Sequence, residues 1–417
     1  MKKTTLIIFL ALTFFSCQKS KPDTLSELKE QMVIPIAEAL SSLNAAQHEL
    51  YPNTKAIDFY DSIEDIVTIG KESFERTKSS SELFAIPDTL FYLVNFRKEK
   101  GFAILSANKQ LSDDIFAITD SGSLSILDFQ KAYEFFNTDN HNNSDSTITD
   151  IGELTVPSII LSGIFSDLVN DNDSVSPEPK TKVSFTTKYG PFVKTKWNQR
   201  KPFNDLTKPG CPAGCVAIAT AQILVANKKS NTMSFNGKLC NWADLESVYN
   251  YQNPTYAGSL EAQNQAANFM KIIGDGKHCK IRYGKTGSNG YAEGAQRTFQ
   301  ALGYKDVDKH LGFGSKNQRI AKRIISHGKA VYLDGCKKGS SEGHAWVLDG
   351  YAKSSDGKEY YHINWGWKGT HDGYFSCGTF NTANRKYVDD EIDKNTSSTT
   401  SDDSNYTWTY RMVTYSL

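Results

Sequence analysis

Apolar residues recur at Leu25, Leu28, Met32, Ile36, Leu40 and Leu43, and these spacings of three and four predict a helix over residues 21 to about 55. From about 85 to 130 the pattern shortens. The runs Leu90 to Phe96, Phe102 to Leu105 and Ile115 to Ile118, separated by turn residues, each predict a short strand. The polar stretch Asn137 to Asp150 predicts a loop, and a second helix follows through Ile159 to Leu168. Asn170 to Lys180 is dominated by Asn, Asp, Ser, Pro and Glu and marks the best domain boundary in the chain. Beyond it, Val216 to Val225 is an apolar helix opening at Cys215, with further helices near 259–273 and 290–302. The last hundred residues turn to strands at Ala330–Leu333, Ala345–Leu348, Tyr360–Asn364 and Tyr406–Tyr415, with a Ser/Thr/Asp-rich loop at Asn395–Asn405. Helices first and an antiparallel sheet later predict an α+β fold.

Composition narrows the function classes. A length of 417 residues implies two or three folded units. Lys and Arg number 47 and are balanced by 47 Asp and Glu, which speaks against nucleic acid as the main partner. At 39% hydrophobic and 12% aromatic, the chain can build a packed core. Met1-Lys2-Lys3, the apolar run Leu6 to Phe15 and Ser16-Cys17 read as a bacterial export signal over 1–16, too short to span a bilayer. A Cys directly after a small residue is similar to a lipoprotein cleavage site, so Cys17 is expected to carry a lipid; a plain signal peptide is the alternative. The other six cysteines, Cys211, Cys215, Cys240, Cys279, Cys336 and Cys377, all lie beyond residue 210, too sparse for a disulfide-built scaffold.

One cysteine is placed for chemistry. Cys215 sits at the mouth of an apolar helix, where unpaired amides and the positive end of the dipole lower a thiol's pKa. By itself it could equally be a buried structural thiol or a partner for Cys211. His344, within Gly343-His344-Ala345-Trp346, follows it by 129 residues, and Asn364, within Tyr361-His362-Ile363-Asn364-Trp365-Gly366-Trp367, by 149. Papain-type enzymes place His and Asn at about 130–150 residues beyond the nucleophile. His362 is a rival base, two positions before Asn364 and so on the same face of a strand. The glycine beside His344 suits an approach to substrate better. His278, His310, His327 and His371 read as solvated side chains, and no Cys/His group has zinc-site spacing.

These motifs, with Trp197-Asn198-Gln199, Pro202-Phe203-Asn204, Gly214-Cys215-Val216-Ala217, Ala219-Thr220-Ala221-Gln222-Ile223, Tyr283-Gly284 with Gly287-Ser288, and Asp372-Gly373 with Phe375, resemble the streptopain-like cysteine peptidases. The resemblance runs from about Lys196 to Tyr374. It implies a papain-like catalytic domain, a helical half plus an antiparallel β half, over 190–417, preceded by an α+β prodomain over 17–180 and a polar linker at about 170–189. It implies Cys215 as nucleophile, His344 as general base and later acid, and the Gln199 side chain with the Cys215 amide as oxyanion donors. Asn364 would orient the imidazole and Trp365 would shield that contact from water. Tyr283, Gly284, Ser288 and Trp367 would line the substrate cleft. Two departures stand out: Cys211, expected to pair with Cys240, and the segment Ser376-Cys377-Gly378. No metal or organic cofactor is implied. The expected partners are protein or peptide substrates and the chain's own prodomain, an intramolecular inhibitor, with membrane contact only through Cys17. The expected protein is an exported cysteine endopeptidase, an outer-membrane or cell-surface lipoprotein whose mature domain is freed by cleavage. An inactive surface adhesin and a papain-like acyl transferase are the alternatives.

Overall fold

The computed structural model describes residues 32–52, 59–74, 87–137, 151–170, 183–228, 234–235, 238–239, 241–337, 343–380 and 408–416. The N-terminal half holds helix α1 (Ile36–Leu50), strands β1 (Ile63–Ile69), β2 (Phe91–Phe96), β3 (Phe102–Ser106) and β4 (Ile115–Thr119), and helices α2 (Ile126–Asn137) and α3 (Ile151–Asn170). Helix α1 buries Ala39, Leu40, Leu43, Ala46 and Leu50, the helical spacing read from the sequence. Strands β2 to β4 are apolar on both faces because both are covered. Tyr92, Val94, Ala103 and Leu105 pack with α1, while Phe91, Leu93, Phe102 and Ile104 pack with α2 and α3. Helix α2 was not predicted; its apolar face, Phe129, Ala132 and Phe136, is short and broken by charges.

After the boundary come β5 (Phe185–Tyr189), helices α4 (Cys215–Asn227), α5 (Leu260–Ile273) and α6 (Ala292–Ala301), strand β6 (Lys305–Leu311) and helix α7 (Ser315–Ser326). Strands β7 (Val331–Lys337), β8 (Gly343–Ser354), β9 (Glu359–Asn364), β10 (Gly373–Ser376) and β11 (Trp408–Ser416) complete the chain. The expected linker at about 170–189 is corrected at its end: 185–189 is a strand paired to β8, alternating half-buried and exposed positions. Residues 171–182, the rest of that linker, lie outside the described residues, as do Cys17, Cys240 and the loop 395–405.

All these strands join one eleven-stranded sheet in the order β1-β2-β3-β4-β10-β9-β8-β7-β11-β6, with β5 paired to β8. The join between the halves is β4 to β10, antiparallel, with Thr119 opposite Gly373 and Ala117 opposite Phe375. Around β7 and β8 the two faces bury different cores. Tyr332, Ala345 and Val347 pack with α4, α5 and α6, whereas Leu333, Trp346 and Leu348 pack with α3 and α7. The segment Ser376-Cys377-Gly378, the second departure, ends β10 and opens a short 3-10 turn (Cys377–Phe380). It faces the N-terminal half: Ser376 Oγ donates to Asp113 Oδ2 at 2.5 Å, and a side chain at Gly163 of α3 would collide with Thr379.

Candidate active site

Helix α4 is buried from Val216 through Val225 on every side, so it runs through the core of the domain and only its ends reach the surface. Cys215 is its first residue and is half-buried. The turn before it is tightly made. Gly214 has φ +94°, a conformation that favours glycine, and a Cβ there would lie 3.2 Å from Ile281 Cγ2. The Ala213 amide donates to Gln199 O at 2.9 Å, and Ser288 Oγ donates to Pro212 O at 2.6 Å. The Gln199 backbone and the Ser288 side chain are thus both bonded to the loop that precedes Cys215.

His344 reaches the same place through strand register. Strand β8 pairs with β7 from Gly343 onward but with β9 only from Val347, opposite Asn364. Residues 343–346 therefore have one side not paired by β9, and the Ala345 amide on that stretch is near enough to Cys215 to favour its thiolate. His344 Nε2 lies 2.7 Å from Trp365 O, and a carbonyl can only accept. Nε2 therefore carries the proton of the neutral ring, and Nδ1 is the nitrogen able to take one. The Trp367 ring tilts over the imidazole at 4.5 Å, with Trp346 and Trp365 stacked farther off at 6.2 and 6.4 Å.

Asn364 does not orient His344, and this corrects the expected role. Its Oδ1 accepts from Gln222 Nε2 at 2.9 Å and from the Gly366 amide at 3.1 Å, and its Nδ2 donates to Thr195 O at 2.8 Å. Those bonds use the side chain, and the next residue's carbonyl serves the imidazole instead. His362, the rival base, is buried in a pair with Asp349, Nδ1 to Oδ1 2.6 Å, and Asp349 Oδ2 accepts from the Val193 amide at 3.0 Å. Although burial opposes it, the Asp349 carboxylate raises the His362 pKa. This pair is structural.

The electrostatics of the thiol also differ from the helix-mouth expectation. Burial pushes Cys215 up to about 11, with the Asp334 carboxylate adding to the rise, against the lowering effect of the Ala345, Val216 and Cys215 amides. Asp334 stands opposite Ala345 on β7 and is held by Arg411 Nε at 2.7 Å and Tyr332 OH at 2.8 Å. Among the described residues Cys211 has no disulfide partner and is a buried thiol 3.8 Å from Pro209 O; Cys240, its expected partner, lies outside the described residues. Of the cleft residues, Gly284 and Ser288 share one turn, the Gly284 amide 3.4 Å from Ser288 Oγ, and Trp367 covers His344. The Tyr283 hydroxyl is packed so closely on Gly274 at the end of α5 that a Cβ there would sit 2.0 Å away. Among the described residues no His/Cys/Asp/Glu group could hold a metal ion. The sequence reading missed Gln222, Asp349 and Asp372 as partners of the site.

The stretch that carries these residues is similar to known proteins. Residues 197–375 match the model of the Peptidase C10 family. Streptopain of Streptococcus pyogenes is 31% identical over 221 residues, 44% of this chain and 54% of streptopain. Over this stretch the chain is similar to the streptopain-like cysteine peptidases. It spans about half the length of the streptopains it matches. The thiol protease/hemagglutinin PrtT of Porphyromonas gingivalis is 25% identical over 211 residues, 44% of this chain and 23% of that protein. In fold the chain is similar to a Cys-to-Ala fragment of prointerpain A from Prevotella intermedia, with TM-score 0.50, 19% identity, and coverage of 78% of this chain and 95% of that one.

In this streptopain-like chain the N-terminal half grips the loop that carries Trp365. Ser121 Oγ donates to Gly369 O, the His371 amide donates to Ser121 O at 3.1 Å, and the Asp120 amide donates to Asp372 O at 3.0 Å. Asp372 Oδ1 in turn accepts from the Trp365 amide at 2.9 Å. Lys196 Nζ lies 3.8 Å from Asp120 and 4.1 Å over the Tyr251 ring. The backbone that presents its carbonyl to His344 is therefore tied to residues 120–123.

Proposed function

We propose that this protein is an exported cysteine endopeptidase, made as a zymogen, that hydrolyses peptide bonds through an acyl-enzyme on Cys215. The observation that carries the reading is the meeting of Cys215 with the open side of the His344 strand while a carbonyl fixes the His344 tautomer. His344 Nδ1 takes the thiol proton, and Cys215 sulfur attacks the substrate carbonyl. The Cys215 amide and the Gln199 side chain donate to the oxyanion. The imidazolium then protonates the leaving amine, and water, giving a proton to Nδ1, releases the acid. Trp365 acts through its backbone carbonyl and, with Trp367, keeps water from the imidazole. Tyr283, Gly284, Ser288 and Trp367 form the cleft wall, with the Tyr283 hydroxyl packed on Gly274.

Residues 17–180 act as the prodomain and the chain's own inhibitor, 190–417 as the catalytic domain, and 1–16 as the signal, with Cys17 the lipid anchor of a surface or outer-membrane lipoprotein. Because 185–189 pairs in the sheet and Val183 is buried, we place the activating cut before Val183, in the polar run that begins at Asn170. Support for the prodomain comes from the grip of residues 120–123 on the Trp365 loop and from the likeness to prointerpain A.

Casein zymography of the wild type beside Cys215→Ala and His344→Ala tests the reading. Each variant is expected to fold and to lose cleavage, because nucleophile and base act as a unit. Gln199→Ala is expected to lose about 10²–10³ in kcat, as for removal of one oxyanion donor. Substantial turnover by folded Cys215→Ala overturns the mechanism. Amine incorporation without cleavage would point instead to an acyl transferase, and no labelling by a thiol-reactive peptide to an inactive adhesin. Full-length Cys215→Ala incubated with a trace of active enzyme should give a new N-terminus within 171–182. Full activity of the uncut wild type would overturn the zymogen.

A further inference from the structure

Seven residues after Cys215, two helical turns along α4, stands Gln222, fully buried among apolar neighbours. Its Oε1 accepts from Thr195 Oγ1 at 3.0 Å and from the Trp197 amide at 3.1 Å, and its Nε2 donates to Asn364 Oδ1 at 2.9 Å. Asn364 Nδ2 returns to Thr195 O at 2.8 Å, which closes a ring through three side chains. The orientation of both amides is fixed by backbone groups of one polarity. The Trp197 and Gly366 amides can only donate, so each must meet an oxygen, and Thr195 O can only accept. No member could be rotated without stranding a buried donor or acceptor, at about 1–3 kcal/mol each.

The ring joins the three elements that bear the reacting groups. Gln222 lies on the helix that opens with Cys215. Trp197 is two residues before Gln199. Asn364 and Gly366 flank Trp365, so pinning both sets the direction of the carbonyl that holds His344 Nε2. An apolar side chain would fill this space at less desolvation cost; a fully bonded amide fixes distance and direction as well. We propose that Gln222 and Asn364 are positioning residues for the peptidase reaction: through their closed amide ring they hold the Trp365 carbonyl, and so the His344 tautomer and orientation, in register with Cys215. This rests on the peptidase reading above.

The test uses the full-length chain, activated by a trace of wild type that is then removed, with Gln222→Leu and Gln222→Glu compared to wild type on a peptide substrate from pH 5 to 8. Gln222→Leu is expected to lower kcat about 10²-fold, the effect of misplacing a reacting group by roughly 1 Å, with KM within about twofold. Gln222→Glu is nearly isosteric. Ionised, it has no hydrogen for Asn364; protonated, its hydroxyl donates to Asn364 Oδ1 while its other oxygen accepts as before. Its activity relative to wild type should therefore rise toward unity as the pH falls to 5, a rescue that a merely space-filling role would not give. Wild-type kcat in both variants, a rise in KM alone, or a Gln222→Glu deficit that does not change with pH overturns the proposal. If Gln222→Leu does not fold, the Gln222→Glu profile decides; failure of both to fold at every pH also counts against positioning. An inactive wild type overturns the peptidase reading itself, whereas an active wild type with indifferent variants overturns this inference alone.

Discussion

At Cys215 two opposing effects meet, and burial wins. The helix mouth supplies amides that favour the thiolate, yet the surrounding protein and Asp334 hold the thiol at about 11. We expect alkylation of Cys215 by iodoacetamide in the uncut chain, followed by mass spectrometry of its peptide, to be slow at pH 7 and to climb about tenfold per pH unit toward pH 11. A rate already at its plateau by pH 7 would show that the thiolate is stabilised before the cut. Single residues with a chemical signature were legible in the sequence. Cys215 lay at a helix mouth, His344 beside a glycine and Gln199 in a motif, and all three lie on segments that meet at one loop. Asn364 was legible as a site residue and assigned the wrong contact, because spacing along a chain does not say which atom of a neighbouring pair faces the imidazole. Gln222 was hidden for another reason. One glutamine in a run of Ala, Ile, Leu and Val looks like a tolerated exception until its partners, 27 and 142 residues away, are seen.

Elements were legible where periodicity was strong and hidden where charge outweighed it. Helix α4 and strands β2 to β4 and β7 to β9 fall close to where apolar runs placed them. Strand β6, Lys-Asp-Val-Asp-Lys-His-Leu, has its apolar side chains at Val307 and Leu311 and lies at the sheet edge, where charges are common. Helix α7 hides Ala321 and Ile325 among Lys and Arg. Strand β5 escaped because its residues adjoin a polar run, and only pairing with β8 makes it a strand. The start of α4 makes a specific demand on its sequence. Gly214→Ala forces an L-residue to φ +94° and a methyl to 3.2 Å from Ile281, so we expect a loss of about 1–3 kcal/mol in denaturant unfolding and a fall in kcat as the thiol shifts. Unchanged stability and turnover would show that this turn adapts. Between β8 and β9, Asp349→Ala leaves His362 and the Val193 amide without their buried partner, and a loss of about 3–5 kcal/mol is expected in the same measurement. A loss below about 1 kcal/mol would mean that His362 is not held as a buried pair.

For the whole molecule, the sequence showed two halves but not how they join, since edge-to-edge pairing of β4 with β10 leaves no mark in either strand's own pattern. The join is rich in buried acids. Asp372 lies beneath the Trp365 loop, and burial with the nearby Asp120 raises it to about 7, against the pull of Lys196, the Trp365 amide and His362; Tyr251 OH also faces it, at 3.2 Å. Asp113, across from Ser376, is raised by burial to about 6 despite Ser376 and Lys358. A carboxyl whose pKa is higher folded than unfolded gives its full stabilisation below the unfolded value near 4 and loses it as pH rises through the folded value. The join should therefore be tightest in mild acid and weaken between about pH 4 and 7, by at most about 4 kcal/mol for Asp372, since one pKa unit is about 1.4 kcal/mol. We expect the Tm of uncut Cys215→Ala to fall from pH 5 to pH 8, and the added substitution Asp372→Asn, which stays neutral throughout, to flatten that slope. Release of the N-terminal half after the cut should follow the same direction and be faster at pH 8 than at pH 5 by size-exclusion chromatography. A Tm that rises over this range, with Asp372→Asn leaving the slope untouched, would mean that Asp372 is ionised in the folded chain and that Lys196 and the Trp365 amide outweigh its burial.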